Sequence, residues 1–213
     1  MAANAKRDLL KELKPLYAPP IKQVVEVDVP SMQFLMIDGK GNPNTALEYV
    51  HAVEALYTAA YTIKFASKKA GIDYGVMPLE GLWWMSAEEM GTVYGEIDFA
   101  ANKDLWSWTM MIMQPDHITP EMVEAVLPEI RKKKNPPALD KLRLERFHEG
   151  LSAQIMHIGS YSEEKPNIDR IHAYISEHGY EPTGKHHEIY LGDPNRTAPE
   201  KLKTVIRQPM KKR

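Results

Sequence analysis

Val25, Val27 and Val29 alternate with Glu26 and Asp28, the two-residue period of a strand that buries one face, so Val24 to Val29 reads as a short strand. A second strand spans Ser31 to Asp38 and closes in the turn Gly39 to Pro43. The period then changes. Leu47, Val50, Val53, Ala55, Leu56, Ala60, Ile63 and Phe65 recur at helical spacing and form one broad apolar face. Thr45, with Glu48 completing a capping box, marks the start of this helix, and Gly71 marks its end. Strands follow at Val76 to Met85 and Leu105 to Met113, separated by an irregular stretch from Ser86 to Asp104. Thr119 and Pro120 open a second helix that runs through Ile130, with a break expected at Pro128. The second half repeats the alternation. A strand over Leu151 to Tyr161 precedes a helix over Glu164 to His178 with the stripe Ile168, Ile171, Tyr174 and Ile175. Strands at His186 to Leu191 and Leu202 to Gln208 complete the chain. Ahead of all this, Asn4 to Leu13 reads as a short helix and Tyr17 to Pro20 as a linker.

Three strand segments recur in order. Ser31 to Ile37 matches Ser152 to Ile158 at an offset of 121, Glu80 to Leu82 matches Glu188 to Tyr190 at 108, and Met111 to Pro115 matches Val205 to Pro209 at 94. Each lies at the same place in a strand–helix–strand–strand order, so the pattern predicts an α+β fold made of two β-α-β-β modules. A pseudo-twofold axis would relate them and leave a central ligand cleft between their open faces. The rival account is that any two β-rich halves look alike at this resolution.

Composition narrows the chemistry. With 213 residues and a formal net charge of −2, nothing draws the chain as a whole to nucleic acid or an anionic membrane. No apolar run reaches the length of a membrane span, and the first residues lack the apolar core of a signal peptide, so a cytoplasmic location is expected. The absence of cysteine excludes disulfides, thiolate catalysis and Cys-zinc sites. His186 and His187 are adjacent on a strand and point apart, so they do not chelate one metal. Neither a metal nor a cofactor is expected, and the chain reads as a monomer or homodimer.

The candidate site rests on acids among aromatics. Glu80 and Glu188 are equivalent in the matched segments; by alternation Glu80 shares a face with Trp84, and Glu188 shares one with Tyr190. If both faces line the cleft, two carboxylates and several aromatics converge on it, an environment suited to a planar, lipophilic or cationic ligand. A solvated strand face is the competing reading. Trp106, Trp108 and Met110 share one face of their strand and serve either as a stacking platform or as core, the commoner fate. Phe34 and His157 lie in the matched first strands, His157 where Met36 stands in the first copy; they line the cleft or fill the core. Tyr57 and Tyr61, one helical turn apart, reach the rim of the pocket or belong to core or surface.

Two stretches, Glu149 to Glu164 and His187 to Pro194, resemble the GyrI-like small-molecule-binding family, and Pro78 to Trp84 resembles its stand-alone branch. The resemblance covers roughly residues 20 to 210. It implies duplicated SHS2-like modules around a drug-sized pocket, with residues 1–20 as an N-terminal helix and linker and residues 21–213 as one domain. Within that domain, module one would span about 24–118, a connecting helix about 119–135, and module two about 143–210. Many members are effector domains of multidrug-sensing transcription activators, whose buried Glu matches Glu188; this sequence shows no helix-turn-helix segment. Some stand-alone members open the cyclopropane ring of DNA-alkylating compounds. The resemblance thus implies a cyclopropanoid hydrolase with Glu188, Glu80 and Tyr190 as its chemical groups, or a non-catalytic binder of cationic lipophilic drugs.

Overall fold

The computed structural model describes residues 6–85 and 99–213, which form a mixed α+β fold. Part of the stretch read as irregular, residues 86–98, lies outside the described residues, as does the beginning of the expected N-terminal helix. The chain divides into two compact units. One holds Gln33–Val76 and Gly81–Glu145 with the chain start through Arg7; the other holds Asp8–Met32, Met77–Glu80 and Arg146–Arg213.

In the first unit, strand β2 (Met32–Lys40) pairs antiparallel with β4 (Ser107–Gln114), Gln33 opposite Gln114 and Gly39 opposite Trp108. Strand β3 (Leu79–Trp84) flanks β4, and β5 (Arg143–Phe147) flanks β2. Helix α3 (Leu47–Lys69) packs against β4. Its inward face is built from Ala52, Ala55, Leu56, Ala59, Ala60 and Ile63, all fully buried, and the small residues let the helix lie close to the strands. Trp108 fills the space over Gly39: a Cβ there would lie 2.1 Å from the indole ring, so only glycine fits. Tyr49 of α3 meets Trp108 edge-on at 5.5 Å and stacks on Trp83 at 6.1 Å, and Trp106 meets Trp83 at 5.2 Å. Trp108, Met110 and Ile112 therefore face α3, while Phe34, Met36 and Asp38 face the other way.

Two sequence expectations change here. Helix α3 starts at Leu47 without a side-chain cap, because Asn42 captures the preceding amides and Glu48 pairs with Lys141 instead of reaching back. Helix α4 (Pro120–Lys133) runs unbroken through Pro128. Pro128 and Glu124, whose carbonyl loses its partner to the proline, both lie on the exposed side, where water takes the freed acceptor.

The second unit begins with two single helical turns, α1 (Leu9–Glu12) and α2 (Lys14–Tyr17), which divide the one short helix expected there. Its strands β1 (Val25–Val29), β6 (Gly150–Ile158), β9 (Lys203–Lys212) and β8 (His186–Tyr190) pair in that order, antiparallel at each step, and the short β7 (Tyr180–Pro182) pairs with the far end of β9. Helix α5 (Lys165–Glu177) covers one face, its Ile171 and Ile175 packed with Ala153, Ile155, Ile206 and Met210, as its apolar stripe requires. The strands β5 and β7 escaped the sequence reading because neither carries an apolar alternation.

Both units place the last strand of a strand–helix–strand–strand run between the first two, but the matched segments are out of register. Offsets of 121 and 94 would carry Gln33 and its partner Gln114 onto Gln154 and Gln208, whereas Gln154 stands opposite Arg207. A one-residue slip reverses every side chain across a strand. His157 consequently corresponds to Ile37, on the helix side, and not to Met36.

The face of the second unit turned away from α5 holds a closed charge network. His187 lies between two carboxylates, its Nδ1 2.9 Å from Glu149 and its Nε2 3.0 Å from Glu80. Arg207 donates to Glu149 at 2.9 Å, to Gln154 at 3.0 Å and to the Leu16 carbonyl at 2.6 Å. Tyr17 donates to Glu80 at 2.8 Å, and Gln154 donates to the Pro15 carbonyl at 2.7 Å. All of these side chains are buried. Burial alone would neutralise His187 and protonate Glu149. The opposite charges beside them win, holding His187 up at about 9 and Glu149 down at about 2. Burial, with Glu80 alongside, pushes the Tyr17 hydroxyl well above the usual phenol range.

Glu149→Gln should lower stability by about 3–5 kcal/mol in urea unfolding, since it leaves a buried imidazolium and guanidinium without their shared anion. The pH dependence follows from the signs. The His187 contribution is fully present below its ordinary 6.5 and is lost as pH rises through about 9. The Glu149 contribution is present above 4.5 and is lost as pH falls through about 2. Thermal melts should show greatest stability between these limits, and His187→Gln should flatten the alkaline side of the profile.

Candidate functional site

Strand β8 reads His186-His187-Glu188-Ile189-Tyr190, and its two-residue period sorts these side chains. His187 and Ile189 point away from α5 and are buried. His186, Glu188 and Tyr190 lie on the face that carries α5, because Glu188 stands opposite Ile206, whose side chain packs in the α5 core. There Glu188 is only partly covered, 16% exposed at its side chain. One carboxylate oxygen lies 3.1 Å from His186 Nε2 and the other accepts the Tyr190 hydroxyl at 2.7 Å. Tyr161, from the turn before α5, meets Tyr190 edge-on at 5.5 Å. Glu164, the buried residue that begins α5, also hydrogen-bonds Glu188.

Burial raises the Glu188 carboxyl, but the His186 contact, the Tyr190 hydroxyl and Glu164 outweigh it and leave the group below its ordinary value. Two carboxyls can hydrogen-bond only if one carries a proton. Glu188 is held below its ordinary value and so is the carboxylate that stays ionised. An ionised carboxylate thus sits beside a second carboxyl group, with a hydroxyl and an imidazole on it.

The structure separates the two acids that the matched segments equated. Glu80 belongs to the buried network with His187 and Tyr17, on the face away from α5, so its counterpart by face is His187 and not Glu188. Trp84 shares Glu80's parity on β3 and faces away from α3. Trp108 and Met110 are fully buried beneath α3 as helix-side core, and the half-buried Trp106 packs on Trp83. Phe34 is buried on the opposite face of β2. His157 lies on the α5 face, with Nδ1 at 3.1 Å from Asn167 and Nε2 at 3.1 Å from the Ser160 carbonyl. Tyr57 and Tyr61 lie on the outer side of α3. Of the expected residues, Glu188 and Tyr190 meet directly on this face, while Tyr57 and Tyr61 meet each other on α3. Glu164, His186 and Tyr161 were missed as site residues. His186, two positions from Glu188, was the one that strand parity could have supplied.

Among the described residues no group of three acidic or histidine side chains is arranged to hold a metal ion, and no helix is long and apolar enough to cross a membrane.

A mixed α+β scaffold that presents one partly buried, aromatic-flanked carboxylate defines a small-molecule-binding domain. The chain belongs to the GyrI-like family: the model of the GyrI-like small molecule binding domain matches residues 22–211. Its structure is similar to that of an uncharacterized conserved protein from Listeria innocua, with 40% identity and a TM-score of 0.86 over 97% of this chain and 100% of that one. A hydrolase from Listeria innocua is 38% identical, with a TM-score of 0.82 and the same coverage. The C-terminal domain of EcmrR shares the fold at 10% identity, with a TM-score of 0.53 over 90% of this chain and 98% of that one. No curated protein matches the chain.

Removing the Tyr190 hydroxyl takes away one of the contacts that hold Glu188 down. Tyr190→Phe should therefore raise the Glu188 carboxyl toward its ordinary 4.5 or above, as burial is left less opposed. A carboxyl-carbon NMR titration of the two proteins checks this.

Proposed function

We propose that this protein hydrolyses flat, aromatic electrophiles carrying a strained cyclopropane ring, with Glu188 as the general base, and so protects the cell from genotoxic compounds. The observation that carries the reading is the setting of Glu188 on β8: a partly exposed carboxylate hydrogen-bonded by His186 and Tyr190, held below its ordinary value, with the buried Glu164 beside it. Similarity along the whole chain to a Listeria innocua hydrolase supports the reaction class.

In this mechanism the substrate lies against the Tyr161–Tyr190 pair and a water sits at Glu188. The water oxygen bonds to a cyclopropane carbon as its proton passes to Glu188. The ring C–C bond breaks, and its electron pair moves through the conjugated system onto a carbonyl oxygen, which becomes a phenolate. The Glu164 proton neutralises that oxygen, and the proton taken by Glu188 restores the pair. The sum is one water added and no other reactant consumed. His186 and Tyr190 keep Glu188 ionised and fix its orientation.

Conversion of a cyclopropane-bearing aromatic to its water adduct, followed by mass spectrometry, tests the proposal. Glu188→Gln should lower the rate by about 10²–10⁴-fold, the span of a general base. Glu164→Gln should cost less, about tenfold, because an amide imitates the protonated carboxyl but cannot return a proton. Wild type that forms no adduct above the spontaneous rate sinks the hydrolase reading. The ionised state of Glu188 then favours a second one, a counter-charge for cationic lipophilic drugs. In that case Glu188→Gln should weaken binding of a flat cationic dye by on the order of 1–3 kcal/mol.

A further inference from the structure

Helix α3 is apolar on two opposite sides. Its inward face is the buried Ala52, Ala55, Leu56, Ala59, Ala60 and Ile63. At about 100° per residue, Leu47, Val50, Tyr57, Tyr61 and Phe65 fall within roughly 80° of arc on the far side, a stripe about 27 Å long. These residues face outward: Leu47 is 71% exposed, Val50 55%, Tyr61 51% and Phe65 52%. Tyr57, Tyr61 and Phe65 form a ladder with ring centres 6.4 and 6.5 Å apart. They form one wall of a groove of about 1140 Å³, whose other wall is the end of α4 with Glu129, Ile130, Lys133 and Lys134. The spacing of three and four residues is that of a helix seam, not of a surface that water would select.

Charge along the seam is polarised. Glu54 lies on this side of α3 in its first half, while Glu48 is turned toward Lys141. Lys64, Lys68 and Lys69 lie toward its end, beside Lys133 and Lys134. Lys64 and Lys68 share the single carboxylate of Asp73, at 3.2 and 3.1 Å, so one positive charge at that end is not balanced. A helix acidic at its start and basic at its end complements a second copy of itself only when the two run antiparallel. We infer that α3 is the seam of a twofold homodimer, with Tyr61 at the axis. Four residues to either side, Tyr57 meets the partner's Phe65. Seven residues to either side, Glu54 meets the partner's Lys68. The contact is isologous, so it closes and does not propagate into a filament.

Sedimentation velocity across a wide range of protein concentrations tests this. Wild type should sediment as a dimer. Tyr61→Glu, which places two like charges on the axis, should give a monomer with unchanged far-ultraviolet circular dichroism. Glu54→Lys should weaken the dimer by about tenfold or more, and the double substitution Glu54→Lys/Lys68→Glu should restore it. The restoration reads out the pairing even if Tyr61→Glu disturbs folding. A wild type that is monomeric at every concentration gives the stripe to another occupant and overturns the inference. So does a dimer that survives both Tyr61→Glu and Glu54→Lys, or a double substitution that fails to recover the dimer.

Discussion

The alternation of side chains along β8 is the constraint on which the second unit depends. His187 and Glu188 are neighbours in sequence and must point to opposite faces. His187 closes a buried network that draws in Tyr17 and Glu80 and anchors the Pro15 and Leu16 carbonyls through Gln154 and Arg207. Glu188 looks out beside α5 with His186 and Tyr190. One strand thus carries a buried charge and a partly exposed one, a residue apart. A slip of one position would exchange them, leaving the imidazolium half-exposed and the carboxylate without its donors.

The two acid clusters differ in how their charges are met. In the buried network Glu149 lies between His187 and Arg207, and Glu80 between His187 and the Tyr17 hydroxyl, each closed off from solvent. Such an arrangement specifies a conformation and resists titration. Glu188 also meets a hydroxyl and an imidazole, but with a carboxyl rather than a guanidinium completing the set, and it is partly open to solvent. Burial and exposure together set these two carboxylate clusters apart, where residue type alone does not.

Much of the fold was legible because periodicity reports burial. The stripe of α5 was read residue by residue, and Gly71 and Pro120 marked real helix boundaries. What failed was parity. Matching Gln33 with Gln154 by residue type placed the first strands one position out and sent His157 to the wrong face, and the separate match of Glu80 with Glu188 was one position out in the same way. Sequence likeness tolerates a shift of one; a sheet does not. Arg207 and Glu149 escaped notice for a different reason: single charges in or beside strands read as solvated, and only tertiary pairing shows that they are buried. Glu188 and Tyr190 were brought together by strand alternation, while Glu164 lies far from them in sequence and meets Glu188 only through the placement of α5.

Helix α3 shows the same limit from the other side. Leu47, Val50 and Phe65 were grouped with Ala55, Leu56, Ala60 and Ile63 as one broad apolar face, and the structure divides them between two opposite ones. A helix buried on one side needs apolar residues over little more than a third of its circumference. The additional stripe adds nothing to the core it turns away from. Aromatic residues kept in water at seam spacing, with charges that reverse from one end to the other, answer a requirement imposed from outside the monomer. The inward alanines bind the helix to its own strands, and the outward aromatics are the complement of another helix.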